Sequence, residues 1–250
     1  MEKFVKQNNS SFKDALLKEK DGLELLNKEL KHNDYIFTPK VFNVNENSLE
    51  IEKIDSIFPT KELSKQFGIG LAKLHKKTYD SYGYNTNNYI GLNLQKNSFS
   101  KNWGEFFITN RLLFQIELIK DSKIKNSFIN ILQKNSKRLE DFLNQNSKHP
   151  SLVHGDLWSG NVLYSQDKIY LIDPAIYYGD REVDIAMTEV FGGFDEEFYN
   201  AYNEIYPLSG FYQKKKVIYN LYHYLNHYNL FGSGYLNTCQ NGFDFIENSL

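Results

Sequence analysis

The feature that most constrains the fold is a tight polar turn inside the segment SLVHGDLWSGNVLY, at residues 151–164. The apolar runs at its two ends predict short β-strands, and a third apolar run at residues 169–172 predicts another. His154, Asp156 and Asn161 crowd the turn between the first two strands. Together with the long helical patterns elsewhere in the chain, these strands indicate an α+β fold.

The polar residues of this turn match the pattern of a catalytic loop. The stretch from His154 to Asn161 has the spacing of the kinase sequence H-x-D-L-x-x-x-N. Phosphoryl transfer needs a carboxylate for the hydroxyl proton and oxygen ligands that hold Mg²⁺ on the nucleotide phosphates. We therefore predict Asp156 as the catalytic base, Asn161 as a metal ligand and Asp173, after the next strand, as the main magnesium ligand. Each residue alone is typical of ordinary turns, but their order between strands favours a site.

Residues upstream of the loop are expected to bind the nucleotide. Lys6 follows a short apolar pair, as a lysine that grips the phosphates of ATP should, and Glu19 lies in the following helix, where it can pair with Lys6. A lysine and a glutamate in a charged segment are otherwise usually solvated. The backbone around Glu52 and Ile54, at the end of a predicted strand, is expected to form the hinge between two lobes and to hydrogen-bond the adenine edge.

Composition and charge limit the class of protein. Of the 250 residues, 41% are hydrophobic, which is typical of a folded globular chain. The formal net charge of -2 gives no electrostatic basis for binding nucleic acid or an anionic membrane. The single cysteine, Cys239, is incompatible with an internal disulfide framework, and the sequence shows no secretory signal or membrane-spanning run. We expect a cytoplasmic protein that binds neither nucleic acid nor membranes; its oligomeric state is not predicted.

Hydrophobic periodicity divides the chain into a small mixed part and a larger, mainly helical part. We predict a partial N-terminal lobe at residues 1–54, with the lysine strand, a helix and hinge strands, and a C-terminal catalytic and substrate-binding lobe at residues 55–250. Residues 79–100, rich in Asn, Gly and Tyr, are expected to form a loop. The predicted helices lie at residues 13–30, 62–77, 103–120, 122–145 and from 184 to the end with a break near 207–210, and the predicted strands at 4–6, 41–44, 48–54, 151–154, 162–164 and 169–172.

Several longer phrases of the sequence resemble one known family. They are HGDLWSGN at residues 154–161, DPA at 173–175, YYGDRE at 177–182, FGGF at 191–194, YLNHYNLFGSGY at 224–235, NYIGLNLQKN at 88–97 and WGEFFITNRL at 103–112. By these motifs, spread over nearly the whole chain, the sequence is similar to the fructosamine kinases (ketosamine 3-kinases), relatives of the aminoglycoside phosphotransferases. Trp158 within the catalytic loop is the most specific part of the resemblance.

The resemblance implies a bilobal protein-kinase-like fold that uses ATP and Mg²⁺ to phosphorylate the sugar 3-hydroxyl of ketosamines such as fructosamine or ribulosamine. These adducts form when sugars glycate amines, and the 3-phosphate is unstable, so the reaction releases the amine in a deglycation repair. The resemblance also implies that Trp158 and His227 hold the sugar. A tryptophan face suits the C–H surface of a sugar ring and can attract a cationic amine. From the residues alone, core packing is the ordinary interpretation of both.

Two further residues and the start of the sequence carry expectations of their own. Asp184 is expected to be structural and to bond the backbone of the catalytic turn at His154 and Gly155. For Arg111, which lies among aromatic residues, substrate binding and pairing with a carboxylate are both open, and we favour the pairing. The N-terminal lobe of the family usually begins with two strands and a glycine-rich loop over the phosphates. This sequence starts at the lysine strand, so we expect a truncated lobe without that loop.

Three functions remain open from the sequence. The first is an active ketosamine kinase. The second is a non-catalytic or weakly active nucleotide-binding protein, because the phosphate-covering loop is expected to be missing; the intact Asp156, Asn161 and Asp173 speak against it. The third is a phosphotransferase for another alcohol, such as an aminoglycoside or an amino sugar; Trp158 and the LNH motif that ends at His227 speak against it.

Overall fold

The computed structural model describes residues 2–250, and its first part is a small sheet with one helix packed on it. Its elements are β1 (Lys3–Gln7), α1 (Ala15–Glu29), β2 (Ile36–Phe37), β3 (Val41–Val44) and β4 (Ser48–Glu52). The sheet is antiparallel with the strand order β1-β4-β3, and Lys6 lies opposite Leu49. Lys6 is therefore held on an edge strand of this sheet.

The rest of the chain is mainly helical, with short strands between the helices. The helices are α2 (Lys61–His75), α3 (Trp103–Phe107), a π-helical turn (Ile108–Leu113) that continues into α4 (Phe114–Glu117), α5 (Ser122–Asn146), α6 (Glu182–Thr188), α7 (Glu196–Ile205), α8 (Tyr212–Phe231) and α9 (Leu236–Asn248). The strands are β5 (Asn88–Ile90), β6 (Asn93–Gln95), β7 (Ser151–Val153), β8 (Val162–Tyr164), β9 (Ile169–Leu171) and β10 (Tyr177–Gly179), and single 3₁₀ turns lie at Ser159–Asn161 and Ser233–Tyr235. Among residues 2–250, every helix is too short or too polar to cross a membrane.

The small sheet has a core of its own. Leu49 and Ile51 are buried while the residues between and beside them are partly exposed. Because successive side chains of a strand point to opposite faces, both leucine and isoleucine lie on one face. That face packs against Leu16 and Leu23, which are seven residues apart on α1 and so share one side of the helix.

The end of α1 and the short strand β2 belong to a second, larger core. Leu26, Leu30 and Ile36 are buried there, together with Phe67 and Leu71 of α2. One helix thus contacts both cores: its first half packs on the small sheet, and its last turns pack in the larger part. The division at residues 54 and 55 remains a prediction.

Helix α2 shows how the sequence pattern becomes packing. Its predicted apolar stripe, Leu63, Phe67, Leu71 and Leu74, is buried, and the helix packs against α7. The hydroxyl of Thr60 accepts a hydrogen bond from the Leu63 N–H at 3.2 Å, which satisfies a free donor at the start of the helix. The prediction of this helix is confirmed.

Two small sheets frame the predicted catalytic loop. β7 pairs antiparallel with β10, and β8 pairs antiparallel with β9. The loop at residues 154–161 joins the two sheets, and Asp173 lies two residues after the end of β9. β2 adds to the other edge of β9 in parallel, with Ile36 opposite Ile169. The strands therefore bring the loop and Asp173 to the same end of the framework.

The structure corrects several of the predicted elements. The segment at residues 79–100 is not wholly a loop, because β5 and β6 form an antiparallel hairpin with Ile90 opposite Asn93. These strands, like β2 and β10, have two or three residues each, too few for an alternating pattern to be recognised. The helix predicted at residues 103–120 ends at Glu117 and contains the π-helical turn. Further loops also separate α6 from α7 and α8 from α9.

Candidate active site

The catalytic turn depends on a glycine in a left-handed conformation. Gly155 has φ +81°, and a Cβ atom there would lie 2.0 Å from the carbonyl oxygen of Ala175. Any other residue would both strain the backbone and collide with the segment between Asp173 and β10. The buried ring of His154 supports the turn from inside: its Nε2 lies 2.9 Å from the Ile172 carbonyl oxygen, and the Asp156 N–H donates to its Nδ1 at 3.3 Å. The ring is therefore neutral, with its proton on Nε2, and burial lowers its pKa.

Asp184 braces this turn from behind, as expected. Its carboxylate accepts hydrogen bonds from the N–H groups of His154 at 2.7 Å and Gly155 at 2.9 Å, and the Nε2 of His75 lies 3.2 Å away. All of these groups are buried. Burial alone would raise the pKa of Asp184, but these hydrogen bonds hold it below its usual value.

Asp156 lies at the open side of the turn and is only partly buried. The amide nitrogen of Asn161 donates to the backbone oxygen of Asp156 at 2.8 Å and to its carboxylate at 3.2 Å. Desolvation raises the pKa of Asp156 to about 7, the hydrogen bond from Asn161 opposes the rise, and the charges of Asp173 and Asp184 add to it. A carboxyl group with this pKa can change protonation state near neutral pH, as a general base does.

The structure brings the predicted nucleotide residues together with Asp173. Lys6 Nζ donates to Glu19 Oε2 at 2.7 Å and lies 2.8 Å from Asp173 Oδ1. Burial would lower the pKa of Lys6, but the two carboxylates more than offset this and raise it. Burial also raises the pKa of Glu19, against the attraction of Lys6. Asp173 has φ +53°, an uncommon backbone conformation for a residue other than glycine and one that concentrates at functional sites.

A polar cavity of about 240 Å³ lies between these residues, and we call it the phosphate cavity. Its lining includes Lys6, Glu19, Asp156, Asn161 and Asp173 and residues of the β5–β6 hairpin. The carboxylate of Asp173 and the amide oxygen of Asn161 are the kinds of ligand that Mg²⁺ prefers. Among residues 2–250, no group of three or more His, Cys, Asp or Glu side chains could hold a metal ion. The donor set therefore fits a metal whose shell is completed by phosphates and water, as in nucleotide sites.

A second cavity, of about 330 Å³ and mostly apolar, lies beside Lys6 at the end of β4; we call it the hinge cavity. Glu52 and Ile54, which the sequence predicts to lie beside the adenine, both line this cavity. The N–H of Glu52 donates to Lys40 O and that of Lys53 to Glu2 O, so both are already used. The N–H of Ile54 makes no hydrogen bond within the described residues. It could therefore donate a hydrogen bond to the polar edge of a flat ring such as adenine.

Trp158 and His227 meet in a third cavity, of about 390 Å³, which we call the aromatic cavity. Trp158 is half-buried and lines this space, so it is not a plug of the core. His227 Nδ1 is buried and has no hydrogen-bond partner among the described residues. Burial lowers the pKa of His227, so its ring is neutral at pH 7. The two cavities meet at Asp156, Trp158 and Gly91, which line both this cavity and the phosphate cavity.

The structure contradicts the expectation that Arg111 pairs with a carboxylate. Its guanidinium is buried, donates to the backbone oxygen of Lys96 at 2.6 Å and to the side-chain oxygen of Asn97 at 2.9 Å, and lies 4.0 Å from the ring centroid of Tyr177. Carbonyl dipoles and aromatic faces compensate its charge. Arg111 thereby anchors the segment that follows β6.

The prediction from the sequence missed the β5–β6 hairpin as part of the site. Asn88 and Gly91 line the phosphate cavity, and Gly91 also lines the aromatic cavity. Gln95 Nε2 donates to the backbone oxygen of Ala175 at 2.9 Å, and Asn88 Nδ2 to that of Ile176 at 2.8 Å. The segment NYIGLNLQ does indicate a hairpin, because two short strand-like runs, NYI and NLQ, flank a pair of residues that contains glycine.

Comparison with known proteins agrees with this geometry. The sequence profile of the fructosamine kinase family matches residues 1–248. A probable ketoamine kinase from Vibrio parahaemolyticus is 40% identical over 247 residues, which are 95% of this chain and 82% of that protein. A chloroplastic protein-ribulosamine 3-kinase from Arabidopsis thaliana is 40% identical over 186 residues, covering 72% of this chain and 56% of the plant protein.

Solved structures show the same fold. The crystal structure of a candidate fructosamine-3-kinase from Haemophilus somnus superposes with a TM-score of 0.84 at 30% identity, covering 98% of this chain and 83% of that one. An ADP-bound aminoglycoside phosphotransferase superposes with a TM-score of 0.57 at 16% identity, covering 96% and 85% of the two chains. The predicted α+β, protein-kinase-like fold and the enzyme class, an ATP-dependent phosphotransferase, are confirmed. The chain belongs to the fructosamine kinase family.

Proposed function

We propose that this chain phosphorylates the 3-hydroxyl of the sugar unit of ketosamines such as fructosamine or ribulosamine, with ATP as the donor and Mg²⁺ as the metal. The observation that carries the proposal is the position of Asp156. It lines the phosphate cavity beside Lys6 and Asp173, and it also lines the aromatic cavity beside Trp158. A base between a phosphate site and a sugar site is what transfer to a sugar hydroxyl requires.

In this proposal Asp156 orients the substrate hydroxyl and accepts its proton. Asn161 holds the Asp156 carboxylate in place through its amide nitrogen and leaves its amide oxygen for the metal. The pKa of Asp156, about 7, keeps a large fraction of the carboxyl ionised at neutral pH. General-base catalysis of this kind contributes about 100- to 10,000-fold to the rate.

The remaining residues of the phosphate cavity hold the donor. Lys6, positioned by Glu19, is a cation for the phosphates, and Asp173 with Asn161 would hold Mg²⁺, which supplies positive charge to the phosphate oxygens when bound. The hinge cavity at Glu52 and Ile54 is apolar enough to take the adenine ring and offers the Ile54 N–H to its edge. Together these residues would place the terminal phosphate beside Asp156.

The charge of the aromatic cavity favours a ketosamine over an aminoglycoside. Of the described residues that line it, only Asp156 carries a carboxylate. An aminoglycoside bears several ammonium groups, most of which would lack a counter-charge there. A ketosamine bears one amine, which the faces of aromatic rings such as Trp158 can bind, while the neutral His227 can hydrogen-bond a sugar hydroxyl.

The biological role that we propose is deglycation. The Arabidopsis relative is named a protein-ribulosamine 3-kinase, and the bacterial relatives are named ketoamine kinases. A 3-phosphorylated ketosamine is unstable and releases its amine, so the phosphorylation removes a sugar adduct. The expected location of this activity, the cytoplasm, remains a prediction.

A substrate panel tests the proposed function. The purified chain is incubated with ATP, Mg²⁺ and either a ribulosamine, a fructosamine or an aminoglycoside, and ADP release is measured. We expect turnover with at least one ketosamine and none with the aminoglycoside; the D156N variant measures background ATP hydrolysis. Turnover of the aminoglycoside alone would contradict the proposal in favour of the third function, and ATP binding without any turnover would favour the non-catalytic alternative.

The metal roles predict a ranking of two variants. Asp173→Ala is expected to weaken Mg²⁺-dependent nucleotide binding by roughly 100-fold and Asn161→Ala by roughly tenfold, because a carboxylate contributes charge to the metal and an amide oxygen does not. Nucleotide affinity is titrated by fluorescence or calorimetry at several Mg²⁺ concentrations. Without Mg²⁺, Asp173→Ala should not weaken nucleotide binding, because it frees Lys6 from its ion pair. An equal or reversed ranking would show that the metal ligands are assigned wrongly.

A further inference from the structure

We infer that His75, the last residue of α2, is a positioning residue for phosphoryl transfer: its ring donates a hydrogen bond to Asp184 and thereby holds the turn that carries Asp156. The inference rests on the proposed function, because it takes Asp156 as the base. It adds a residue that lines none of the three cavities of the site and acts only through its neighbours.

His75 is a polar residue at a position where the pattern of α2 would place an apolar one. It follows Leu71 by four residues, so it continues the buried stripe of the helix, and its side chain is fully buried. Burying a polar group is costly unless it forms hydrogen bonds. The partners of the ring therefore indicate its role.

The neighbours of the ring fix where its proton lies. His75 Nδ1 lies 2.9 Å from the hydroxyl of Tyr202, and that hydroxyl accepts a hydrogen bond from Arg181 Nη1 at 2.8 Å. Because an arginine only donates, the hydrogen of the hydroxyl is left to point at His75 Nδ1. A neutral ring that accepts at Nδ1 carries its proton on Nε2, which lies 3.2 Å from Asp184 Oδ2. All four side chains are buried.

The ring is neutral, so its bond to Asp184 is not an ion pair. Burial lowers the pKa of His75, although the carboxylate of Asp184 acts in the opposite direction. A protonated ring would also donate at Nδ1. The Tyr202 hydroxyl would then accept from both His75 and Arg181, and its own hydrogen would have no acceptor among the described residues.

His75 is connected to the catalytic turn at both its side chain and its backbone. Asp184 Oδ2, which accepts from the ring, also accepts the N–H of His154 at 2.7 Å, and Oδ1 accepts that of Gly155 at 2.9 Å. The backbone oxygen of His75 accepts a hydrogen bond from Ser151 Oγ at 2.6 Å. Ser151 begins β7, the strand that leads into the turn.

The bond from His75 determines how the Asp184 carboxylate is oriented. Oδ2 has two donors and Oδ1 has one, so a rotation of the carboxylate would break at least one bond to the turn. Asp156 follows the two residues that these bonds hold, and a base misplaced by about 1 Å can cost roughly 100-fold in rate. Lys6 and Asp173 make no hydrogen bond with His75 or Asp184 among the described residues, so nucleotide binding should change much less.

The first experiment compares two amides at position 75. In His75→Gln the side-chain nitrogen can take the place of the ring Nε2 and donate to Asp184, whereas in His75→Asn it reaches only the place of Nδ1. We expect His75→Asn to lower kcat for a ketosamine roughly 10- to 100-fold and His75→Gln by less than about threefold. The KM for ATP should change by less than about threefold in both. ADP release gives the constants, and melting temperatures show that the variants are folded.

His75→Leu is the control for volume, since leucine fills the buried space without offering a donor. It should lose about as much kcat as His75→Asn. Equal kcat values for the Gln and Leu variants, or a KM for ATP that rises as much as kcat falls, would overturn the inference and leave the proposed function standing. Turnover of no ketosamine by the wild-type chain would overturn the proposed function, and this role of His75 with it.

The second experiment observes the ring without any substrate. Long-range ¹H–¹⁵N NMR of the chain labelled with ¹⁵N-histidine distinguishes the two ring nitrogens, and the signals missing from His75→Gln assign His75. At neutral pH we expect Nε2 to be protonated and Nδ1 unprotonated. A proton on Nδ1, or a charged ring, would overturn the inference.

A pair of tyrosine variants tests whether the hydroxyl beside the ring contributes. Tyr202→Phe removes the donor to His75 Nδ1, so it should shift the Nδ1 resonance and lower kcat by roughly three- to tenfold with little change in the KM for ATP. The control is Tyr206→Phe, which removes a hydroxyl paired with a different histidine, His149, and should change neither the resonances of His75 nor kcat. Equal effects of the two variants would contradict the inferred contact.

Discussion

Replacing Asp156 with asparagine is expected to lower kcat by about 100- to 10,000-fold while leaving the fold intact. The amide has nearly the same size as the carboxylate but cannot accept the proton of the substrate hydroxyl. Steady-state ADP release with a ketosamine measures the loss, and an unchanged melting temperature shows that the variant is folded. A variant that keeps a near wild-type kcat would show that Asp156 is not the base.

The pH profile separates a lost base from a general disturbance of the site. Burial raises the pKa of Asp156 to about 7, and only its ionised form accepts a proton. Wild-type kcat/KM, measured with both substrates far below their KM values so that it reports the free enzyme, should therefore fall as the pH decreases through about 7. The residual rate of D156N should lack this dependence. The same pH dependence in both proteins would contradict the assignment.

Replacing Asp184 with alanine is expected to lower the free energy of unfolding by about 3–5 kcal/mol. The substitution leaves the buried N–H groups of His154 and Gly155 without these acceptors and removes the carboxylate beside His75 Nε2. A buried N–H group that has lost its acceptor lowers the free energy of unfolding by more than the loss of packing contacts alone. Urea unfolding, followed by circular dichroism without ligands, measures the change.

The matched control is Asp121→Ala. Asp121 also accepts two backbone N–H groups, those of Lys123 and Ile124, but it does so at the exposed start of α5, and a lost N-terminal cap costs about 1 kcal/mol. Asp184→Ala should therefore be several times more destabilising. If the two variants lost similar stability, the carboxylate of Asp184 would not be what holds the catalytic turn.

The catalytic loop could be predicted from the sequence because its chemistry is local. His154, Asp156 and Asn161 lie within eight residues, and the strands on both sides are apolar enough to recognise. The ion pair of Lys6 with Glu19 was predicted from the known arrangement of kinases. In the structure, Lys6 Nζ lies 2.7 Å from Glu19 Oε2, so the two side chains do pair. The roles of these residues in binding and catalysis stay predictions.

The surroundings of Arg111 and Phe191 could not be predicted in the same way. The partners of Arg111 are backbone carbonyls, ring faces and the amide oxygen of Asn97, none of which carries a charge that would indicate the pairing in the sequence. Phe191 and His227 come from separate segments that only the tertiary fold brings together. In a chain with 16% aromatic residues, single phenylalanines carry little information.

The path of α1 has a consequence for how the two parts of the chain move and fold. A fragment that started at residue 55 would lack Leu26, Leu30 and Ile36, and would open holes in its own core and leave an edge of β9 unpaired. The N-terminal 54 residues are thus not a detachable module. Because its last turns pack in the larger part, any rotation of the small sheet about the axis of α1 would move Lys6 toward or away from Asp173 and would displace Glu19, which lies on α1, less.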